Sequence, residues 1–252
     1  ESLSPRTAAR VLSGVRGFFR HLVARGVLEE SPAALIRRPR FRSALPGTLT
    51  FEEVDRLLEA PSGESPTGLR DRAMLELLYA TGIRAGELLA AKLADLDLAE
   101  GILRIRAGKN QKDRVVPMGR PAVSWCRHYL DTVRPFFPNA AIATVLFLSH
   151  NGKPLTNTIL NERLAEYAAQ AGIQRPISAH TMRHTCATLM LKAGCDIRYI
   201  QALLGHASLV TTQLYTRVEI GDLARAHARF HPRSFSSQRP PPPSHRYSAP
   251  HN

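Results

Sequence analysis

Arg84, Lys109, His180, Arg183, His206 and Tyr215 are side chains of the kinds that bind phosphate, pass protons to it or attack it. His180 and Arg183 lie in the run HTMRHT. Residues three apart on a helix are neighbours on one face, so this pair can present two phosphate-binding donors together. Arg84 and Glu87 have the same spacing, which on a surface helix gives an ion pair of small energetic value. Lys109 falls in a polar loop with Lys112 and Arg114 close by, and His206 follows Gly205 in an apparent turn. Tyr215 stands beside Leu214 in QLYTR, where half-buried packing is the ordinary role of a tyrosine. Taken singly, each residue has an unremarkable structural reading.

Their order and spacing carry more. ATGIRAGEL, AGKNQKDRVVPM, HTMRHTCAT and LLGHASLVTTQLYT follow one another along the chain, and this series resembles the motifs of the tyrosine recombinases, especially the Xer-type and phage-integrase-type enzymes. The likeness spans about Leu49 to Arg233, from LTFEEVDRLL to HARFHPR. The steps from Arg183 to His206 and from His206 to Tyr215 give it most of its specificity. The resemblance implies Arg84, Lys109, His180, Arg183, His206 and Tyr215 as catalytic residues, with Glu87 supporting Arg84. It also implies that the Tyr215 hydroxyl attacks a DNA phosphodiester, leaving a 3′-phosphotyrosyl link and a free 5′-hydroxyl, and that a partner strand's 5′-hydroxyl reverses the step.

The residue types suit those roles. Attack on a phosphodiester builds charge on the non-bridging oxygens and calls for fixed cationic donors, and arginine forks are permanently charged and can bind phosphate through two N–H groups. Lys109 is the expected general acid for the leaving oxygen. His180 is expected to help deprotonate Tyr215, since an unperturbed phenol near pKa 10 stays mostly neutral at pH 7. His206 is expected to donate to the phosphate. A covalent link conserves the phosphodiester energy, so no cofactor, ATP or metal is expected. The implied partners are double-stranded DNA with specific recombination sites and further recombinase subunits, in a tetramer that passes through a Holliday junction. The segment Val218–Phe230 would then pack on a neighbouring subunit through Leu223 and Ala226, or fold back in cis. The sequence departs from the usual Xer-like pattern at Asn110, where glycine ordinarily follows the lysine, and Asn tolerates the left-handed turn.

These groups need a scaffold, and the hydrophobic periodicity supplies a mainly α fold with a small β-hairpin or sheet. Val11, Leu12, Val15, Phe18, Phe19, Leu22 and Val23 form a helical stripe between Ser4-Pro5, a start signal, and Gly26, a stop. Such a helix with one shorter companion cannot close a core, so residues 1–43 read as part of a helical core-binding domain. Residues 37–48 read as an extended linker and residues 44–233 as the catalytic domain. Thr50 and Glu53 form a capping box ahead of Val54, Leu57 and Leu58. Helices are predicted over about 69–80, 84–93, 123–133, 156–171, 178–193, 197–204 and 208–217. Short β runs at 102–105 and 115–116 make a hairpin around the loop 107–113. Gly86 in a helix start lowers local helicity by up to about 1 kcal/mol relative to Ala. The Pro-rich segment 234–252 reads as a flexible tail.

Charge narrows the partners. The 252 residues carry a formal net charge of +13, which favours an anionic polymer. Residues 1–43 hold nine arginines against three acids, so Arg6, Arg10, Arg16 and Arg20, together with Lys112 and Arg114, are candidate DNA contacts. No long apolar run marks a membrane span. Cys126, Cys186 and Cys195 form no CxxC pair, which speaks against a disulfide framework and fits a reducing, cytoplasmic, nucleoid-associated location. The chain opens at Glu1 rather than Met, and only about half of a core-binding domain aligns with residues 1–43. A polypeptide of that extent is expected to bind DNA weakly, because fewer phosphate contacts lower affinity steeply. The rival expectations are a DNA-binding protein of the same family without recombinase activity, a type IB topoisomerase-like monomer, and a metal site built from His180, His184, Cys186, Cys195 and His206.

Overall fold

A computed structural model describes residues 4–37, 47–61, 63, 65–106, 113–205 and 220–234. The chain divides into two compact units, Glu1–Gly47 and Thr48–Asn252.

The first unit is built on α1 (Pro5–Ala24). Ser4 caps its N-terminus by accepting from the Thr7 N–H, and Pro5 occupies the first turn, where its missing N–H costs nothing. The helix ends at Gly26, whose φ of 70° places it in the left-handed region. The expected shorter helix is absent among the described residues, and turns run from Arg25 to Ile36 instead. Arg16 draws those turns back onto α1, donating from Nε to the Ala33 carbonyl at 3.2 Å and from Nη2 to the Ile36 carbonyl at 2.5 Å. Ala9 and Ala33 are buried, but Val11, Val15 and Phe18 of the apolar stripe are exposed.

The second unit is organised around α3 (Pro66–Thr81), which is buried along its length from Gly68 to Thr81. Ser65 caps it, and Gly82 ends it at a φ of 58°. A side chain at position 82 would come within 2.9 Å of Leu204 Cδ2, so glycine is required there by both conformation and space. Before α3 comes α2 (Phe51–Glu59), which carries the Thr50–Glu53 capping box and buries Val54, Leu57 and Leu58, as its spacing predicts. After α3 the short α4 (Ala85–Ala90) leads into a three-stranded antiparallel sheet, β1 (Leu96–Asp97), β2 (Ile102–Ile105) and β3 (Arg114–Pro117), in the order β1-β2-β3. Leu103 pairs with Val116 and Ile105 with Arg114 across the hairpin, and Leu103, Ile105 and Val116 face the core. The first of these strands extends the expected hairpin to a sheet.

α5 (Gly119–His128) packs on α3 and continues as a π turn at Tyr129–Val133 and a 3-10 turn at Arg134–Phe136. α6 (Asn157–Gln170), α7 (Ala179–Lys192) and α8 (Ile197–Leu204) complete the wrapping, each capped by the side chain before it, Thr156, Ser178 and Asp196.

α9 (Ile220–Phe230) lies against α8 and β3. Leu223 and Ala226 are buried within this same chain, so of the two expectations for them the cis packing is the one observed. His227 Nε2 lies 2.8 Å from the Ala80 carbonyl, and the His227 and His231 rings stack at 4.4 Å. Pro232–Ser234 form a 3-10 turn with Arg233 buried against Glu76 and Asp55. The expected helix over 208–217 and the tail 235–252 lie outside the described residues.

Candidate active site

The C-terminal ends of α3 and α8 and the N-terminal ends of α4 and β3 converge on Glu87. Sequence spacing placed Arg84 on a helix face with Glu87, but Arg84 is the N-cap of α4, with an extended backbone. A residue three positions before a glutamate at a helix start can act as a capping-box partner instead of a helix neighbour, and the Arg84 N–H donates to Glu87 Oε2 at 2.8 Å. The Arg84 side chain turns back as well, with Nη1 donating to Glu87 Oε1 at 2.8 Å and Nη2 to the Gly205 carbonyl at 3.3 Å. Arg114, the first residue of β3, approaches from the other side and forks onto both carboxylate oxygens, at 2.9 Å from Nη1 and 2.8 Å from Nη2. Glu87 thus accepts four N–H bonds, two on each oxygen.

Arg183 enters from α7 and is buried. It donates from Nη1 to the Gly82 carbonyl at 2.6 Å and from Nη2 to the Leu204 carbonyl at 2.7 Å. These are the terminal carbonyls of α3 and α8, groups that helices leave unsatisfied. One guanidinium therefore fixes two helix ends and is itself held in place.

The charges do not cancel. Burial would raise the Glu87 carboxyl, but hydrogen bonds from the Arg114 side chain and the Arg84 backbone, then the charge of Arg114 and the Arg84 side-chain hydrogen bond, hold it at about 2. Burial, and then repulsion from Arg84, lower Arg183 to about 10 despite attraction from Glu87, leaving it cationic at neutral pH. Three arginines face one carboxylate, and Arg84 keeps 42% of its side-chain surface exposed while Glu87 keeps 14%. The result is a half-open site with surplus positive charge and preorganised N–H donors, which is what a phosphodiester requires.

The remaining candidates fall in several places. His180 is exposed one turn before Arg183 on α7. Lys109, Lys112, His206 and Tyr215 lie outside the described residues. The hairpin loop of Lys109 and Lys112 joins β2 to the anchored Arg114, and His206 and Tyr215 lie between Gly205 and α9 in sequence. In the first unit Arg10 and Arg20 are exposed and Arg16 is engaged with backbone carbonyls. Arg6 falls in α1, with its side chain outside the described residues. Of the residues of the metal reading, His180 and His184 are exposed on α7, Cys186 and Cys195 are buried, with the Cys186 thiol pushed up to about 12 by that burial, and His206 lies outside the described residues. Among the described residues no group of three or more His, Cys, Asp or Glu side chains is placed to hold a metal ion.

Comparison with known proteins agrees with this geometry. The sequence profile described as the phage integrase family matches residues 47–220. The chain belongs to that family. Among phage integrase relatives, the tyrosine recombinase XerD of Pseudomonas putida is 42% identical over 233 residues, covering 92% of this chain and 78% of the relative. The XerD of Chlorobaculum tepidum is 41% identical over 234 residues, covering 92% and 77%. Of solved phage integrase folds, a XerA recombinase superposes with a TM-score of 0.61 at 32% identity, over 90% of this chain and 76% of that one. XerH bound to its difH substrate in a pre-cleavage complex superposes with a TM-score of 0.66 at 27% identity, over 85% and 63%.

Two features of this phage integrase site escape sequence reasoning. The carbonyl partners of Arg183 belong to residues 82 and 204, and backbone acceptors leave no residue-type signal. The Arg114–Glu87 fork joins residues far apart in sequence. Its one trace is Gly205, whose φ of 66° and tight approach to the Arg114 guanidinium mark a place where a backbone must come close.

Proposed function

We propose that this chain is a Xer-type site-specific DNA recombinase that cuts and rejoins duplex DNA through a phosphotyrosyl link on Tyr215. The observation that carries the reading is the half-open cluster in which Arg84, Arg114 and Arg183 surround Glu87 and leave net positive charge at the ends of two helices.

In the first step the Tyr215 oxygen bonds to phosphorus as the bond from phosphorus to the 5′-oxygen breaks. The tyrosine proton passes toward His180, and the leaving 5′-oxygen takes a proton from Lys109. Charge that develops on the non-bridging oxygens is met by Arg84 and Arg183, whose N–H groups are already oriented and need no reorganisation. His206 adds a further donor. Rejoining is the same step in reverse, with the 5′-hydroxyl of another strand as nucleophile, so each bond broken is replaced by one of similar energy. Glu87 holds Arg84 against drift toward its own phosphate partner. Arg10 and Arg20, with Arg6 and Lys112, are assigned to the DNA backbone, where each phosphate contact steepens the salt dependence of binding. Residues 1–43 then serve as part of a DNA-gripping arm and residues 44–233 as the cutting unit, in an assembly of subunits on two DNA sites. Such work places the protein with the nucleoid.

A pool of nicked duplexes with randomised sequence around the nick, incubated with the protein in EDTA, tests this. An SDS-resistant protein–DNA adduct is expected with wild type and is expected to vanish in Tyr215→Phe. Salt-dependent DNA binding with no adduct from any member of the pool would favour a DNA-binding protein without strand-cutting activity.

A further inference from the structure

Arg114 is basic and stands next to a polar loop, and on those grounds it reads as a DNA contact. Its surroundings say otherwise. Both terminal nitrogens are committed to Glu87, at 2.9 and 2.8 Å. Only 16% of its side-chain surface is exposed, and its Nε–H is buried with no hydrogen-bond partner among the described residues. Below it lies Gly205, so close that a Cβ there would sit 2.8 Å from Nε and 2.9 Å from Cδ and Cζ. Arg183 spends its terminal N–H groups on neutral carbonyls and keeps its charge, whereas the Arg114 fork lies on both oxygens of a carboxylate that answers its charge, which leaves it little with which to grip a phosphate.

The location is informative. Arg114 is the first residue of β3, where the hairpin loop bearing Lys109 rejoins the sheet, opposite Ile105. Gly205 is the residue before His206, and its carbonyl accepts from Arg84. Glu87 is shared between Arg84 and Arg114. One side chain therefore links the returning end of the lysine loop, the carboxylate that orients the phosphate-facing arginine, and the turn from which the His206–Tyr215 segment departs.

We propose that Arg114 is a positioning residue of the cleavage reaction, fixing Glu87 and the Gly205 turn and, through them, Arg84. The proposal rests on the recombinase reading given above. Without Arg114 the Glu87 carboxylate keeps only its Arg84 bonds and can swing with that arginine. Misplacement of a reacting group by about 1 Å is enough to cost roughly a hundredfold in rate. DNA affinity has no reason to change, because Arg114 does not touch the phosphates.

The test compares wild type, Arg114→Met and Arg114→Lys on one nicked duplex that wild type cuts, chosen from the randomised pool. Adduct formation at saturating DNA is expected to fall roughly a hundredfold in Arg114→Met. Arg114→Lys keeps the charge and loses the fork, and it is expected to recover only part of that rate. Kd for the duplex and its salt slope are expected to match wild type in both variants. The low-pH limb of the rate profile is expected to move upward, since Glu87 loses its strongest partner. In a Glu87→Gln background, Arg114→Met is expected to add little further loss, whereas a purely structural role would add its full effect. Thermal unfolding of each variant separates misfolding from misplacement, and Arg114→Lys serves if Arg114→Met does not fold. A wild-type rate in Arg114→Met overturns the proposal and leaves the recombinase reading intact. So does a loss lying wholly in DNA affinity, with a salt slope lower by about 1, which is the signature of a lost phosphate contact. If wild type forms no adduct with any duplex, the recombinase reading falls and takes this proposal with it.

Discussion

Two glutamates in the second unit are each held between arginines, and they end in opposite conditions. Glu76 lies in the middle of α3 with no side-chain exposure, between Arg72 and Arg233, which are 8% and 3% exposed. Asp55, itself 44% exposed, joins Arg233 at 3.3 Å from the rim, so two cations meet two carboxylates and the cluster is balanced. Arg72 also lies over the Trp125 ring at 4.8 Å. Glu87, by contrast, faces three arginines alone, at helix and strand ends, with Arg84 still 42% exposed. The same chemistry makes a scaffold in one place and a binding site in the other. Charge balance decides which: a neutral cluster has nothing left to bind, while an unbalanced one that solvent reaches keeps its affinity for an outside anion.

The comparison can be broken at either end. Glu76→Gln leaves two buried cations short of a partner and is expected to cost about 3–5 kcal/mol of stability, read from chemical denaturation, with adduct formation per folded molecule unchanged. A denaturation midpoint near wild type would mean that the buried cluster is dispensable. Arg84→Ala is expected to do the reverse. It should lower the cleavage rate by about 10²–10³-fold and shift stability by no more than about 0.5 kcal/mol. Equal damage to both readouts in either variant would erase the distinction.

Stability against pH sharpens the picture further. Burial pushes the His227 imidazole down to about 4 and His231 well below its usual range. Between about pH 6.5 and 4 the unfolded chain therefore binds protons that the fold refuses. Stability is expected to fall as pH falls through that window, by about 1.4 kcal/mol per pH unit for each histidine. The Glu87 carboxyl, held at about 2 against an ordinary 4.5, adds a second loss below pH 4.5 by the same sign. His227→Gln should roughly halve the slope of the first limb, leaving the His231 share, and spare the second; a flat wild-type profile from pH 6.5 to 4 would contradict both buried imidazoles. The smallest effect concerns Gly205. Gly205→Ala and Gly172→Ala both place a side chain at positive φ, 66° and 71°, at about 1–2 kcal/mol each. Only Gly205→Ala also drives a methyl into Arg114, so it alone should slow cleavage.

Much of the fold was legible because its boundaries are written in side chains that cap helices. Ser4-Pro5, Thr50 with Glu53, Gly82 and Ser178 all act where their types predict. What the pattern could not convey was pairing at a distance. Arg70, Asp71, Arg72 and Glu76 of α3 are charged, yet all are buried, because partners such as Tyr167, Arg233 and the Leu148 carbonyl arrive from far along the chain. β1 is two residues long and has no period to detect. In the candidate site, residue types singled out Arg84, Glu87 and Arg183, which the fold brings together, but the periodicity argument mistook a cap for a helix face. It also could not foresee that Arg114 would be turned inward. α1 shows the converse: its stripe is clear in sequence, yet Val11, Val15 and Phe18 stay exposed within their own unit, since a pattern announces a face and not what covers it.

The docking of α9 has a geometrical consequence for Tyr215, the proposed nucleophile. Tyr215 stands five residues before Ile220, the first residue of a helix held by Leu223, Ala226 and two buried imidazoles. Even a fully stretched chain spans at most about 17 Å over five residues. While α9 stays seated, that length is an upper bound on the reach of Tyr215 from Ile220. Delivering it to a more distant phosphate would require α9 to lift away, exposing Leu223 and burying nothing in return unless another surface receives it.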